Sequence, residues 1–185
     1  MIKTVCKVGV KLLCLVGILL AVPDFPAQTP ARTVLLEVLR SSWDFQRDET
    51  LVYLRVYSDG FAEAHSMRKI DLRNVQFLSK QLSSDELASL KKLLSDPATT
   101  QLAPEYSRYW GNRDFGYKYE ILVSDTPDKR IELENFQPFL ARQKGKAYPK
   151  QLEKLGCAIW KIRKEVSGEP LEHNWIKGCV ELGYQ

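Results

Sequence analysis

Apolar and polar positions recur along this chain with a period of two in some stretches and of 3.6 in others. Residues 33–40, "TVLLEVLR", are apolar and β-branched and predict a first strand. The polar "SSWDFQRDE" that follows reads as a loop. Residues 50–57, "TLVYLRVY", predict a second strand, and "FAEAHSMR" begins a third.

The turn between the second and third strands can be argued from register. Ser58-Asp59-Gly60 as a three-residue loop, with Gly60 in the left-handed conformation, sets Tyr57 against Phe61, Arg55 against Glu63 and Tyr53 against His65. The other face pairs Val56 with Ala62 and Leu54 with Ala64. A two-residue Asp-Gly loop would put Glu63 among Val52, Leu54 and Val56. A carboxylate buried beside aliphatics is costly, so the longer loop is expected.

A further strand is expected around Val75 to Ser79. A helical period then takes over in "LSSDELASLKKLLS". Ser83-Ser84-Asp85-Glu86 has the form of a capping box, and Leu82 with Leu87 fits a hydrophobic staple. Leu87, Leu90 and Leu94 share one face, and Asp96-Pro97 ends the helix. "GYKYEILVSD" and "KRIELENF" return to period two, joined by Thr126-Pro127-Asp128. Tyr117, Tyr119, Ile121 and Val123 fall on one side of the first strand, and Ile131 and Leu133 on one side of the second. "QPFLARQKGKAYP" reads as a basic linker. The last helix is expected from Lys150 to Val166, with a stripe of Leu152, Leu155, Ile159, Ile162 and Val166.

This order predicts an α+β domain over 33–166: an antiparallel sheet of four to six strands with two helices packed on one face, in ββ(β)α-ββα order. Residues 167–185 are expected to fold back on the last helix.

The N-terminus changes the picture of location. Lys3, Lys7 and Lys11 precede or open onto the apolar run 12–22, "LLCLVGILLAV". That run is short for a spanning helix and has the length of a signal-peptide core. Residues 1–27 are therefore expected to be a signal peptide, with an uncleaved membrane anchor through 12–22 as the alternative. The implied location is periplasmic or extracellular. Cys14 lacks the small residues before it that lipoprotein processing needs.

Composition, 44% hydrophobic and 27% charged, is that of a globular protein. Residues 1–27 hold three Lys and Asp24. Without them 24 basic residues stand against 22 acidic ones, a net charge of +2. That balance gives no electrostatic reason to expect nucleic acid. Beyond the leader, two cysteines remain, Cys157 and Cys179. Cys157 falls opposite the helix stripe and Trp160 on its flank, which suits a disulfide to Cys179 with Trp175 and Ile176 packed near Trp160. Buried thiols or half of a metal site are the alternatives, although two cysteines without spaced partner ligands make a poor zinc site.

The segments "LRVYSDGFAEA", "QLSSDELASLKKLLSD" and "YPKQLEKLGCAIWKIR" together resemble small exported bacterial envelope proteins of uncharacterised function. The resemblance spans residues 33–166 and implies export and a small α+β fold. It brings no catalytic residues.

Two histidines limit the candidate chemistry. His65 lies on the outer face of the predicted hairpin and could act as a base in a small secreted hydrolase, but no nucleophile-elbow motif accompanies it. His173 beside Glu172 lacks the spacing of a metal motif. Glu132 and Glu134, flanked by Arg130, read as a solvated sheet face. No cofactor and no metal is expected.

Two aromatic and cationic surfaces remain as binding candidates. One is the strand face of Tyr53, Arg55, Tyr57 and His65, with Phe61 between them. The other is the loop in "EYSRYWGNRDFGYKYE" that carries Arg108, Tyr109, Trp110 and Arg113. Tyr and Arg are favoured in interface cores. The leading expectation is a non-enzymatic domain that binds a protein or envelope component. An enzyme inhibitor acting through a loop such as 104–116 is a further reading.

Overall fold

The computed structural model describes residues 31–43, 48–66, 76–107, 116–124, 129–168 and 179–180. The predicted leader, the Thr126-Pro127-Asp128 turn, His173, Trp175 and Ile176 lie outside these residues. So do four of the predicted binding residues, Arg108, Tyr109, Trp110 and Arg113. All elements belong to the compact unit Arg32–Gln185.

The architecture is α+β, with more elements than the sequence predicts. Strands β1 (Val34–Trp43), β2 (Asp48–Tyr57), β3 (Phe61–His65) and β4 (Phe77–Gln81) precede helices α1 (Ser84–Leu94) and α2 (Pro97–Thr100). Strands β5 (Glu105–Ser107), β6 (Gly116–Val123) and β7 (Lys129–Glu134) follow, then helices α3 (Pro138–Gln143) and α4 (Lys150–Ser167). The seven strands form one sheet in the order β4-β3-β2-β1-β6-β7-β5.

Five expectations need correction. The sheet has seven strands, not four to six, and it is mixed, because β5 runs parallel to β7. There are four described helices, not two. The loop expected at "SSWDFQRDE" is shorter, because Ser41–Trp43 and Asp48–Glu49 pair within the β1–β2 ladder. The expected basic linker contains α3. Pro138 opens that helix, a position where its missing N–H costs nothing, and Ala141 is fully buried.

The β2–β3 register is the one the Glu63 argument selects. Arg55 pairs with Glu63 and Val56 with Ala62. Gly60 has φ of +86°, and its N–H donates to the Tyr57 carbonyl at 2.9 Å. A Cβ at Gly60 would lie 2.9 Å from Gln81 Nε2 and 3.3 Å from a Leu87 methyl. Gly60→Ala is therefore expected to cost about 1–2 kcal/mol through left-handed strain alone. The chemical-denaturation midpoint checks this, and an unchanged midpoint would remove the conformational argument.

One face of the sheet is the core. Val38, Leu54, Val56, Ala62, Ala64, Ile121, Ile131 and Leu133 are buried on it. Fully burying a Leu or Ile contributes about 1.5–3 kcal/mol, so this layer sets the register of every strand. The small Ala62 and Ala64 leave room for α4, whose stripe Leu152, Leu155, Ile159, Ile162 and Val166 is buried as its spacing predicts. Buried Arg163 of α4 donates to the carbonyls of Tyr53 at 3.0 Å and His65 at 2.7 Å, fastening the helix to the middle of β2 and the end of β3. Leu90 and Leu94 of α1 join the same core, and the Ser83–Glu86 capping box is formed in both directions.

The β1–β2 ladder contains two register shifts, and both redirect side chains. Val34 pairs with Tyr57 and Leu36 with Val56, so Leu35 is an extra residue, and both leucines are buried. Val38 pairs with Leu54 and Leu39 with Val52, so Tyr53 is extra on β2. A bulge turns the local chain and re-aims its side chain. Tyr53 consequently packs against the core, edge-on to buried Tyr119 at 5.3 Å and beneath the Arg163 guanidinium at 4.8 Å. Its expected pairing with His65 does not form; the Val52 N–H reaches His65 instead.

Candidate functional site

The outer face of the sheet brings together three of the four predicted strand residues. Arg55 Nε donates to Glu37 Oε1 at 2.7 Å, and Arg55 Nη1 to Glu63 Oε1 at 2.9 Å. The Tyr57 hydroxyl donates to the same Glu63 oxygen at 2.7 Å. Burial disfavours the Arg55 charge, but hydrogen bonds to Glu37 and Glu63 outweigh it and hold the guanidinium above its ordinary value. Burial, then the bond to Glu63, raises the Tyr57 hydroxyl. Glu37 is the member that sequence reasoning missed. Its signal was present, because Glu37 is the single charged position inside the apolar run 34–39.

Neighbouring groups on this face are also committed to one another. Arg32 stacks 3.9 Å from the Phe61 ring and pairs with Asp59 at 2.9 Å, so residues before β1 roof part of the aromatic cluster. Lys118 pairs with Glu132 at 2.6 Å, and Arg130 pairs with both Glu120 and Glu132. The Lys118 bond holds the Glu132 carboxyl below its usual range. The outer face is thus a lattice of internal ion pairs, which fixes strand alignment more than it offers open valences.

His65 sits at the end of β3, stacked on Phe77 at 4.2 Å between ring centres. Its Nδ1 accepts the Val52 N–H at 3.1 Å. In the neutral ring this places the proton on Nε2 and leaves no free basic lone pair. Burial, followed by the charges of Arg163 and Arg55, lowers its pKa below the ordinary 6.5. With the folded pKa depressed, the His65 contribution to stability is fully present above about pH 6.5 and is lost as pH falls from there through the folded value. An NMR titration of the imidazole is expected to give a midpoint below 6.5. A midpoint above it would contradict the burial of the ring beside Arg163 and Arg55.

The described concavity lies elsewhere, between α1 and α4. It is a groove of about 640 Å³. Leu90 and Leu93 from α1, with Ala158 and Ile162 from α4, supply apolar walls, and Cys157 lies among them. Both helices use one stripe on the sheet, so their flanks are left to face each other. Charges of both signs surround the opening, including Asp85, Lys92, Lys154 and Lys161.

Both ends of the groove are held. Lys80 pairs with Glu165 at 2.7 Å near the start of α1. There Glu86 is held at about 2 by its contact with Glu165 and by the Ser83 backbone and hydroxyl. At the other end, Thr99 of α2 donates to the Leu93 carbonyl at 2.7 Å, and Gln151 of α4 donates to Thr99 at 2.8 Å. Asp96 caps α2, so the residue read as a helix stop also starts the helix that buries Thr99.

Cys157 bonds Cys179, with a Cα–Cα distance of 5.5 Å, so the predicted disulfide is formed. Among the described residues no group of three or more His, Cys, Asp or Glu is placed to hold a metal ion. None of the described helices is long and apolar enough to cross a membrane. No protein-family model matches the chain, and no curated protein matches it.

Proposed function

We propose that this chain is an exported, non-enzymatic domain of the cell envelope that binds a partner protein through the groove between α1 and α4. The observation that carries the reading is the form of that groove: apolar walls, charges of both signs around the opening, and two ends fixed by side-chain bonds. Such a channel suits an amphipathic segment of a protein, whose apolar side enters while its polar side meets the charges. Export is supported by the apolar run 12–22 behind its lysines and by the disulfide, which persists in oxidising compartments. The resemblance to small exported envelope proteins agrees with it.

The hydrolase reading with His65 as base is less well supported. A base needs a free lone pair and an orienting acid, and His65 directs Nδ1 at a backbone amide. The inhibitor reading through 104–116 rests mainly on residues outside the described ones. Within that segment, 105–107 are a sheet strand.

Ser89 is exposed and lines the groove, so Ser89→Trp fills it without disturbing the core. The expected result is loss of partner capture from envelope extracts by Ser89→Trp, with capture kept by His65→Ala. Equal capture by the wild type and Ser89→Trp would overturn the groove, and loss confined to His65→Ala would move the site to the outer face.

A further inference from the structure

Strand β4, "FLSKQ", is an edge of the sheet and is exposed at every residue but Leu78. Its bonds to β3 decide where its backbone groups point. The Leu82 N–H donates to Gly60 and the Ser66 N–H to Gln76. Hydrogen-bonded pairs therefore recur at Ala62–Lys80 and Ala64–Leu78, and the N–H and C=O groups of Phe77, Ser79 and Gln81 point away from β3. Among the described residues no strand pairs with that side.

Edges of this kind are commonly blunted by a charge, above all lysine. The only charge in β4 is Lys80, and Glu165 holds its ammonium at 2.7 Å. Phe77 is 50% exposed, one of two large apolar residues so exposed among those described. The edge thus combines unpaired backbone, an exposed ring and a charge already engaged within its own chain.

We infer that β4 pairs antiparallel with β4 of a second copy of this chain, joining the two sheets across a two-fold axis at Ser79. Only a register with Ser79 opposite Ser79 uses all three outward-facing residues of both strands. It sets Phe77 against Gln81 and Leu78 against Lys80, so no like charges face each other. A shift of one residue along each strand would set Lys80 against Lys80. The arrangement is isologous, so pairing closes at two copies. This edge meets the groove through the Lys80–Glu165 pair, but the strand pairing does not rest on the function proposed for the groove.

Sedimentation velocity on the purified protein over a concentration series tests the pairing. The wild type is expected to shift from monomer to dimer as concentration rises. Ser79→Pro removes an outward N–H and no bond to β3, and is expected to stay monomeric with an unchanged unfolding midpoint. Ser79→Lys, which places like charges at the axis, gives the same answer should the proline variant fail to fold. Ser79→Cys is expected to form a disulfide-linked dimer on oxidation, whereas Ser89→Cys on α1 is not. A wild type monomeric at every concentration, dimers that survive both Ser79→Pro and Ser79→Lys, or equal cross-linking of the two cysteine variants would each overturn the proposal.

Discussion

Replacing Arg142 by alanine is expected to lower stability by about 3–5 kcal/mol, because it takes the guanidinium away from a buried carboxylate. Glu153 is a buried acid on α4, with a side chain only 4% exposed. Arg142 of α3 donates to it at 2.6 Å. Breaking this pair from one side costs free energy because the carboxylate stays buried. Replacing both residues, Arg142→Leu with Glu153→Leu, is expected to recover most of the loss, since the buried charge goes with its partner. Urea denaturation of Arg142→Leu, Glu153→Leu and the double variant closes the cycle. A loss below about 1 kcal/mol for Arg142→Ala would mean that Glu153 is solvated and the pair resembles a surface one.

The second large effect is expected from reduction of the disulfide. The bond joins Cys157 to Cys179, 22 residues apart. Closing a loop of that length stabilises by about 3 kcal/mol in the chain-entropy account. Thermal unfolding with and without reductant is expected to show a clearly lower midpoint for the reduced protein. Coincident transitions would leave the bond without a stabilising role. Two free thiols in the native protein under non-reducing mass analysis would contradict the bond itself.

These two devices were not equally visible in the sequence. The disulfide was legible, because only two cysteines follow residue 27 and Cys157 falls off the α4 stripe. Arg142 was not, because the segment 137–149 lacks a helical apolar period and α3 has only six residues. The β2–β3 hairpin was legible down to its register, since one wrong step would have buried Glu63. The Tyr53 bulge was hidden for the opposite reason. A bulge adds one residue to an otherwise ordinary alternation, and only pairing with β1 reveals where. Strand β5 is three residues long and parallel to β7, too short to carry a period.

The candidate site divides in the same way. Arg55, Tyr57 and Glu63 were placed together by strand arithmetic and are found together, but their valences are spent on one another and on Glu37. The groove was invisible because its walls come from helices more than 50 residues apart in sequence, and although Leu90 and Ile162 belong to the predicted stripes, only the packing of α1 beside α4 brings them together. The cue, in retrospect, is the set of small residues Ser89 and Ala158 on those flanks, where a close-packed helix pair would need bulk.

Under the function proposed above, the domain meets a protein partner in the α1–α4 groove. The most direct measurement is photo-cross-linking inside the producing cell, with a photoreactive residue at Ser89 and, as control, at Glu120 on the outer face. One discrete adduct with another envelope protein is expected from Ser89 and none from Glu120. No adduct from Ser89, or the same adducts from both positions, would contradict it.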